Sequence, residues 1–460
     1  MLARVLKHPP LSAACLAVAV FWYPMLAWML GFPPFRALDF GMAFNSMAEH
    51  LLTGRFDVDP DAIGAEGFDM DGRTVAYFGI FCALLRIPLV LTPGLAQTDV
   101  TGLSCLVALC LAAWFQVKAI LLAAAHGPPF ISAMGGSRRD WLAAGLLACA
   151  MLGGPHIPFL RPSLYQEPID WGLAEAMGFV FLATRGLTTP RGFDRNTLSL
   201  MALCAGLALL TRVSFGVGLY AALGLLLLVR VPPRAWPGPV TILLVCVALT
   251  GLVNHGRWGN PLVFADYTRF NLSQDAYPDR LGRLAAYGAF HPARFWLGIG
   301  YYFAPIWIWV RGDGHALFAE FQAPLMDAME LPPGSFLLSD PLLLGLAAMG
   351  MIAIRDRARA ALLLGLCVPP LLMLCAISMA HRYRMEFYPF LTLAALFALG
   401  SASTARAASP RFRATIIACV AIGITAAHAM SVLYAYAPWG PGEFYLERYG
   451  ILGTWTRTPH

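Results

Sequence analysis

The sequence is poor in charged residues. Only 13% of its 460 residues are Asp, Glu, Lys or Arg, and 58% are hydrophobic, whereas a soluble domain carries roughly 25% charged residues. Its apolar residues come in runs of about 17 to 25, long enough for helices to cross a hydrocarbon core of roughly 30 Å. Isolated strands would leave backbone groups unpaired in lipid. The composition therefore predicts an all-α polytopic membrane protein.

The sequence also lacks the local signatures of several functional classes. It contains no Walker loop, no His-x-x-x-His pair and no serine nucleophile elbow, which argues against an ATP-driven pump and an embedded zinc protease. Its ten cysteines all lie in apolar segments, so no disulfide framework is expected. The net charge of +6 comes from arginines dispersed between apolar runs, and no nucleic-acid partner is expected.

Eleven apolar segments are candidate transmembrane helices. They are residues 11–30, 100–124, 140–158, 168–185, 196–211, 213–230, 238–254, 336–354, 359–379, 385–402 and 411–433. The arginine clusters between them would lie on one face, which predicts a cytoplasmic N-terminus and an outer C-terminus. No small-residue cleavage site follows the first segment, so it is interpreted as a span. Residues 1–460 are expected to form a single membrane domain.

Two further apolar stretches, Tyr77 to Leu95 and Phe295 to Val310, are interpreted as helices at the outer interface. Arg86 interrupts the first, and Trp and Tyr residues, including Trp307 and Trp309, mark the second. If both crossed the membrane, the chain would have thirteen spans. With eleven spans, the outer face carries residues 32–99, 255–335 and the tail 434–460. The first of these segments has a short amphipathic helix at 42–52 and eight acidic residues between positions 32 and 76.

Asp39 is the first candidate catalytic residue. It follows the stiff Pro33-Pro34 exit from the first span, so its carboxylate would lie near the interface. There it could deprotonate an acceptor hydroxyl or bind a divalent metal. The alternative is a structural N-cap of the helix that follows.

Two other outer segments carry polar side chains next to apolar helices. Residues 68–79 contain Asp71, Arg73 and Tyr77, either as part of a binding site or as a solvated turn, and their resemblance to a calcium loop is weak. At the mouth of the fourth span lie Tyr165, Glu167 and Asp170. Ionisable groups at this depth normally face a cavity or a partner, although acidic residues also favour a helix N-terminus.

Several arginines lie on the outer face, against the positive-inside rule. Residues 381–387 include His381, Arg382, Tyr383 and Arg384, and these side chains could bind a phosphate. The alternative is ion pairing with Glu386 and the acidic loop. Two more exceptions of this kind are Arg212 and Arg257.

The order of these features resembles the GT-C superfamily of lipid-carrier-dependent glycosyltransferases, in an uncharacterised bacterial subgroup. The blocks that carry the resemblance are Asp39, the Leu-x-x-Gly of 51–54, Asp71-Gly72-Arg73 with Tyr77-Phe78-Gly79, and the segments around Glu167, Arg257 and Arg382. By this resemblance Asp39 is the catalytic base or metal-organising acid. Many members carry adjacent acids there, whereas Phe40 follows here, and this difference puts a metal role in doubt more than a base role.

The resemblance implies inverting transfer of a sugar from a polyprenyl-phosphate carrier to a glycan or lipid acceptor, on the periplasmic face of a bacterial inner membrane. Asp39 and Glu167 are then the candidate catalytic acids, and the arginines of the outer face stabilise the leaving phosphate. The resemblance assigns no definite cofactor, and a divalent cation, Mg²⁺ or Mn²⁺, is the one alternative considered. The rival interpretation is a polytopic transporter or flippase for a glycolipid, which would place charges near the membrane midplane.

Overall fold

The computed structural model describes residues 9–124, 136–190, 192–271, 280–304, 324–326, 328–329, 335–402 and 406–436. In this part of the chain nearly all regular structure is helical. The sheet is limited to an antiparallel hairpin of β1 (Phe68–Met70) and β2 (Arg73–Val75) and a short parallel pair of β3 (Ala328–Met329) with β4 (Ser378–Met379). The predicted all-α class is confirmed.

The helices follow one another through the whole described chain. In order they are α1 (Pro9–Met29), α2 (Ala43–Leu52), α3 (Pro60–Ile63), α4 (Phe81–Val90), α5 (Thr101–Ala124), α6 (Arg138–Leu152), α7 (Gln166–Thr188), α8 (Arg195–Thr211), α9 (Val213–Arg230), α10 (Pro237–Trp258), α11 (Arg280–Tyr287), α12 (Phe295–Phe303), α13 (Phe336–Ser339), α14 (Pro341–Ile352), α15 (Arg357–Leu366), α16 (Val368–Leu374), α17 (Tyr388–Ser401) and α18 (Pro410–Tyr436). Short 3₁₀ helices include Gly64–Glu66 and His381–Phe387.

Within the described residues, seven helical segments are long and apolar enough to cross a membrane. They are Leu11–Met29, Thr101–Ala124, Arg138–Phe159, Val213–Arg230, Pro237–Trp258, Arg357–Leu374 and Pro410–Leu433. The four other predicted spans coincide with α7, α8, α14 and α17, which are shorter or carry more charge. The chain is therefore a polytopic membrane protein with a helix at each of the eleven predicted positions.

Several helix limits follow from capping by short polar side chains. Ser137 and Asp140 form a reciprocal capping box at the start of α6. The Asp194 carboxylate accepts a hydrogen bond of 2.8 Å from the Thr197 amide at the start of α8. Gly259 ends α10 in the left-handed conformation, with φ at 71°.

Segments that were predicted to share a membrane face meet in the structure. At one end Ser137 pairs with Ala407, and the Arg139 guanidinium donates to the carbonyl oxygens of Gly400 and Ala402. At the other end, residue 68 of the first loop pairs with residue 270, and residues 289–291 bond to residues 375–377. The first loop, the segment after α10 and the connection before α17 thus form one end of the bundle.

The two stretches predicted as interfacial helices contain shorter helices among the described residues. The first is α4, and the second begins as α12, while Trp307 and Trp309 lie outside the described residues. Most of the predicted tail at 434–460 also lies outside them. The amphipathic helix predicted at 42–52 is α2, one residue shorter.

Candidate active site

Asp39 lies in the turn between α1 and α2 with its side chain exposed. Helix α2 begins at Ala43 and its N-cap position is Met42, so the alternative that Asp39 caps this helix is wrong. No hydrogen bond or ion pair joins the Asp39 carboxylate to any described residue. The following residue, Phe40, has φ at 61°. This left-handed conformation is strained for a bulky side chain, and strained residues of this kind cluster at functional sites.

The strained turn around Asp39 is held from two sides. The Asp99 carboxylate accepts a hydrogen bond of 2.8 Å from the Leu38 amide. On the other side the Phe40 ring packs over Gly64, where a Cβ atom would lie 2.5 Å from the ring. Gly64 opens the 3₁₀ turn of the first loop, so Asp39 lies between this turn and the start of α5.

Two half-buried arginines and two tyrosines form a second group, called here the arginine–tyrosine cluster. The Arg382 guanidinium carbon lies 4.9 Å from the centre of the Tyr165 ring and 5.3 Å from that of Tyr383. Arg212 lies 5.0 Å from the Tyr383 ring, and its Nε donates to Glu386 Oε1 over 2.6 Å. Four residues predicted from distant parts of the sequence are thus brought together, stabilised by cation–π contacts.

Two residues of the first loop border this cluster. Glu66 is 9% exposed, and Tyr165 and Arg382 are among the groups that act on its carboxyl group. Burial raises the pKa of Glu66, although Tyr165 and Arg382 oppose that rise. Burial also raises the pKa of Tyr77, one of the predicted residues, and nearby Tyr383 adds to this rise. Sequence reasoning did not single out Glu66, because it stands in no motif.

The Asp71–Arg73 motif lies on the surface of the protein. Asp71 and Gly72 have φ at 55° and 85°, the conformation of a tight hairpin turn between β1 and β2. The Asp71 side chain is 82% exposed and pairs with Arg269 over 2.9 Å, and Arg73 is exposed. This geometry corresponds to a solvated turn, the second of the two interpretations considered for residues 68–79.

Glu167 and Asp170 are buried at the start of α7. The Glu167 side chain is fully buried, and its Oε1 accepts from Arg86 Nη2 over 2.7 Å. Asp170 is also fully buried, beside the Cys105 thiol. The Arg86 that interrupts the first interfacial stretch therefore pairs with Glu167 inside the protein, and the structure gives Glu167 a partner rather than access to a substrate.

Arg257 and His381 lie inside the fold. Arg257 is 3% exposed and donates to the Phe78 carbonyl oxygen over 2.7 Å, which joins α10 to the first loop. The His381 ring lies 5.4 Å from that of Phe159 and is 1% exposed. Both residues were predicted to bind substrate, and the structure encloses both side chains in the fold.

Arg384 is separated from Arg382 by one residue but is buried. It is 1% exposed, lies 3.1 Å from Asp340 Oδ2 and stacks 4.4 Å from the centre of the Phe336 ring. Tyr388 donates to the same Asp340 oxygen over 3.0 Å. The alternative was ion pairing of these arginines with Glu386 and the acidic loop; Arg384 pairs with Asp340 instead, and Glu386 pairs with Arg212.

The described residues contain no group of three or more His, Cys, Asp or Glu side chains placed to hold a metal ion. The ten cysteines are free thiols. The structure therefore assigns no residues to the divalent cation that the sequence left open.

Neither a protein-family model nor a curated protein matches the chain. Solved structures of the Archaeoglobus fulgidus oligosaccharyltransferase are similar to it. The apo form is 12% identical, with a TM-score of 0.49 over 98% of this chain and 60% of that one. The form tethered with an acceptor peptide is 12% identical, with a TM-score of 0.45 over 94% and 56%. The AglB complex with an inhibitory peptide and a dolichol-phosphate is 13% identical, with a TM-score of 0.44 over 97% and 60%.

The chain thus spans somewhat more than half the length of these solved proteins. With TM-scores below 0.5 and identities near 12%, this likeness assigns no activity to the chain.

Proposed function

We propose that this chain is a GT-C-type glycosyltransferase that moves a sugar from a polyprenyl-phosphate carrier to a glycan or lipid acceptor at the periplasmic face of a bacterial inner membrane. The observation that carries the proposal is the arginine–tyrosine cluster, which lies at the same end of the bundle as the unpartnered carboxylate of Asp39. Sugar transfer from a phosphate needs cations at the leaving group and a carboxylate at the acceptor.

Arg382 and Arg212 are the residues proposed to bind the donor phosphate. Both are only half-buried, and a guanidinium group matches the geometry of phosphate oxygens. The rings of Tyr165 and Tyr383 hold the two guanidinium groups in place. In this proposal they stabilise the charge that develops on the phosphate as the sugar leaves.

Asp39 is the proposed general base. The acceptor oxygen bonds to the anomeric carbon as the bond from that carbon to the phosphate oxygen breaks. The bonding electrons leave with the polyprenyl phosphate, and the acceptor proton passes to Asp39. Attack from the face opposite the phosphate inverts the anomeric configuration.

Transport of a glycolipid is the second candidate function, because α7 carries buried acids. Besides Glu167 and Asp170, Glu175 is buried in this helix, and its Oε1 accepts from Thr211 over 2.9 Å. Buried acids within a membrane helix are common along transport paths. Thr211 is followed by Arg212 of the arginine–tyrosine cluster. The hydrogen bond from Thr211 therefore connects Glu175 to the proposed enzyme site as well.

The test uses the purified protein in liposomes, with radiolabelled polyprenyl-phosphate sugars and a lipid and glycan extract as acceptor. We expect Asp39→Asn to lower the transfer rate by about 10²- to 10⁴-fold, the range for loss of a general base. Asp61→Asn, which changes an exposed acid of the same loop, should transfer at the parental rate. An Asp39→Asn protein with parental activity would refute the base, and movement of intact labelled lipid without cleavage would favour transport.

A further inference from the structure

The turn that carries Asp39 is closed by a backbone hydrogen bond. The Gly41 amide donates to the Leu38 carbonyl oxygen over 3.0 Å, so residues 38–41 form a four-residue turn with Asp39 at its second position. Phe40, at the third position, has φ at 61°, a conformation that persists only where surrounding contacts enforce it. Because the Asp39 side chain is exposed, its direction depends on what holds this turn.

Asp99 contacts the turn on both sides of Asp39. Before Asp39, the Leu38 amide donates to Asp99 Oδ2 over 2.8 Å. After it, the backbone of Gly41 lies against the same carboxylate, since a Cβ atom on Gly41 would be 1.9 Å from Oδ2. One half-buried side chain from a distant part of the sequence therefore fixes both ends of the turn.

The other oxygen of Asp99 is bonded to the start of the membrane helix α5. Asp99 Oδ1 accepts from the Thr101 amide over 2.9 Å, which satisfies one of the unpaired amides at a helix start. The Thr101 hydroxyl donates to the Gly41 carbonyl oxygen over 3.1 Å. Both Asp99 oxygens thus accept backbone amides, and the turn is attached to a candidate membrane span.

Asn45 makes the same attachment from α2. Its side chain is 0% exposed, and Nδ2 donates to the carbonyl oxygens of Ala96 and Thr98 over 2.8 and 3.0 Å. Residues 96–101 therefore hold both the turn and the helix that follows it. The place of Asp39 is set by the start of α5 rather than by the exposed part of the first loop.

We propose that Asp99 is a positioning residue for sugar transfer, which holds the turn of residues 38–41 so that the Asp39 carboxylate points at the acceptor hydroxyl. This inference rests on the proposed function, in which Asp39 is the base. A general base acts only within hydrogen-bond reach of the proton that it removes. A displacement of about 1 Å can lower the rate by about 10²-fold.

Asp99→Asn separates positioning from helix capping. Asparagine caps a helix as well as aspartate, with its carbonyl oxygen on the Thr101 amide. Its NH₂ group then faces the Leu38 amide, and two donors cannot bond to each other. In the liposome assay with radiolabelled polyprenyl-phosphate sugars, we expect kcat to fall by about 10- to 100-fold. The KM for the donor should stay within about twofold of the parental value.

The unfolding temperature of Asp99→Asn should stay close to that of the parent, because the cap is kept. Asp61→Asn, the exposed acid of the first loop, is the control and should show the parental kcat and KM. A parental kcat in Asp99→Asn would overturn the proposal.

A double variant tests whether Asp99 acts through Asp39. Adding Asp99→Asn to Asp39→Asn should change the residual rate by less than about twofold, because no base is left to position. A purely structural role would lower the rate by the same factor in both backgrounds. That result would overturn the proposal.

Gly41→Ala disturbs the same contact from the side of the turn. Its added methyl group would displace the Asp99 carboxylate, so kcat should fall as in Asp99→Asn. The matched control is Gly345→Ala in α14, where nothing lies within 4 Å of the added atom. A Gly41→Ala protein with the parental kcat would show that the turn need not contact Asp99, against the proposal.

Hydrogen–deuterium exchange of the full chain in nanodiscs adds a readout that needs no activity. The Leu38 amide should exchange about tenfold faster in Asp99→Asn than in the parent, and an unchanged rate would contradict the proposal. The two possible failures are distinguishable. Parental transfer by Asp39→Asn removes the base and its positioning together, whereas loss in Asp39→Asn with parental transfer in Asp99→Asn removes the positioning role alone.

Discussion

Arg382 and Arg384 lie two residues apart in one 3₁₀ helix but in different environments. Because this helix has three residues per turn, positions i and i+2 point to different sides. Arg382 is half-buried against Tyr165, whereas Arg384 is enclosed with Asp340 in the core. A shared phosphate-binding role for the pair, as the sequence suggested, is therefore divided: we propose binding for Arg382 and a structural ion pair for Arg384.

Replacing Arg384 should destabilise the protein, while replacing Arg382 should not. Arg384→Met leaves Asp340 buried without its cation, a loss that typically costs about 3–5 kcal/mol. Adding Asp340→Leu should recover most of it, because an apolar pair can replace a buried ion pair. Thermal unfolding in detergent measures these changes. Arg382→Gln should unfold like the parent and lose donor binding; the reverse pattern would return the phosphate role to Arg384.

His50 and Arg55 hold the carboxylate of Asp57 in the first loop. His50 Nδ1 lies 2.9 Å from Asp57 Oδ1, and Arg55 donates to both carboxylate oxygens over 3.0 and 2.7 Å. Burial raises the pKa of Asp57, but the hydrogen bonds from Arg55 and His50 outweigh it and leave the pKa below its ordinary value of 3.8. A lowered pKa adds stability above the unfolded pKa, which is lost as the pH falls through the folded pKa.

Asp57→Asn should therefore be less stable than the parent at pH 7, and this difference should shrink as the pH falls below 3.8. The physical reason is that the parental carboxylate becomes protonated there and loses its charged hydrogen bonds. Thermal unfolding at pH 7 and pH 3 measures the difference. Asp61→Asn is the control and should match the parent at both values. A difference of the same size at both pH values would show that the charge of Asp57 is not involved.

At the scale of elements, the first loop docks on the tip of the α8–α9 hairpin through Gly79. A Cβ atom on Gly79 would lie 2.1 Å from the carbonyl oxygen of Leu210 and 2.4 Å from that of Thr211. Arg212 follows at once, so this contact sets how the first loop meets the arginine–tyrosine cluster. The glycine of the Tyr-Phe-Gly block thus has a packing reason.

Gly79→Ala should push the first loop away from α8 and lower both stability and sugar transfer. The matched control is Gly224→Ala within α9, where nothing lies within 4 Å of the added atom. There alanine should stabilise the helix by up to about 1 kcal/mol. Unfolding temperature and transfer rate are the measurements. If Gly79→Ala behaves like Gly224→Ala, the contact with α8 does not constrain the site.

One buried ion pair attaches helix α4 to the bundle. The ion pair of Arg86 with Glu167 joins α4 to α7. Both side chains are almost fully enclosed, at 3% and 0% exposure, so removal of either would leave an uncompensated charge. The sequence predicted from Arg86 that this stretch does not span the membrane, and the structure adds that Arg86 has a buried partner.

At the scale of the whole molecule, the two ends of the bundle should lie on opposite sides of the membrane. Cysteines introduced at one end should therefore all react with a label from the same side. We expect cysteines introduced at Asp61 and Thr98 to react with an impermeant maleimide from the outer side. A cysteine at Arg234, between α9 and α10, should react only from the cytoplasmic side. Native thiols are controlled with the unsubstituted parent. Labelling of position 98 only from the cytoplasm would contradict the proposed orientation.

The sequence by itself determined the class of protein and the position of its helices. The length of the apolar runs is set by the thickness of a bilayer, and charge alternation between runs is local information that needs no tertiary contact. For this reason the eleven predicted segments coincide with helices, and Asp39 could be placed in the turn after the first of them.

The tertiary structure alone decided which polar residues lie together. Tyr165, Arg212, Arg382 and Tyr383 meet because α7, the α8–α9 tip and the segment before α17 end at one place. Packing also enclosed Arg257, Glu167 and Arg384 and brought in Glu66, which no motif marks. Hydropathy and spacing cannot distinguish an arginine that faces a ligand from one paired inside the core, because that difference depends on neighbours distant in the sequence.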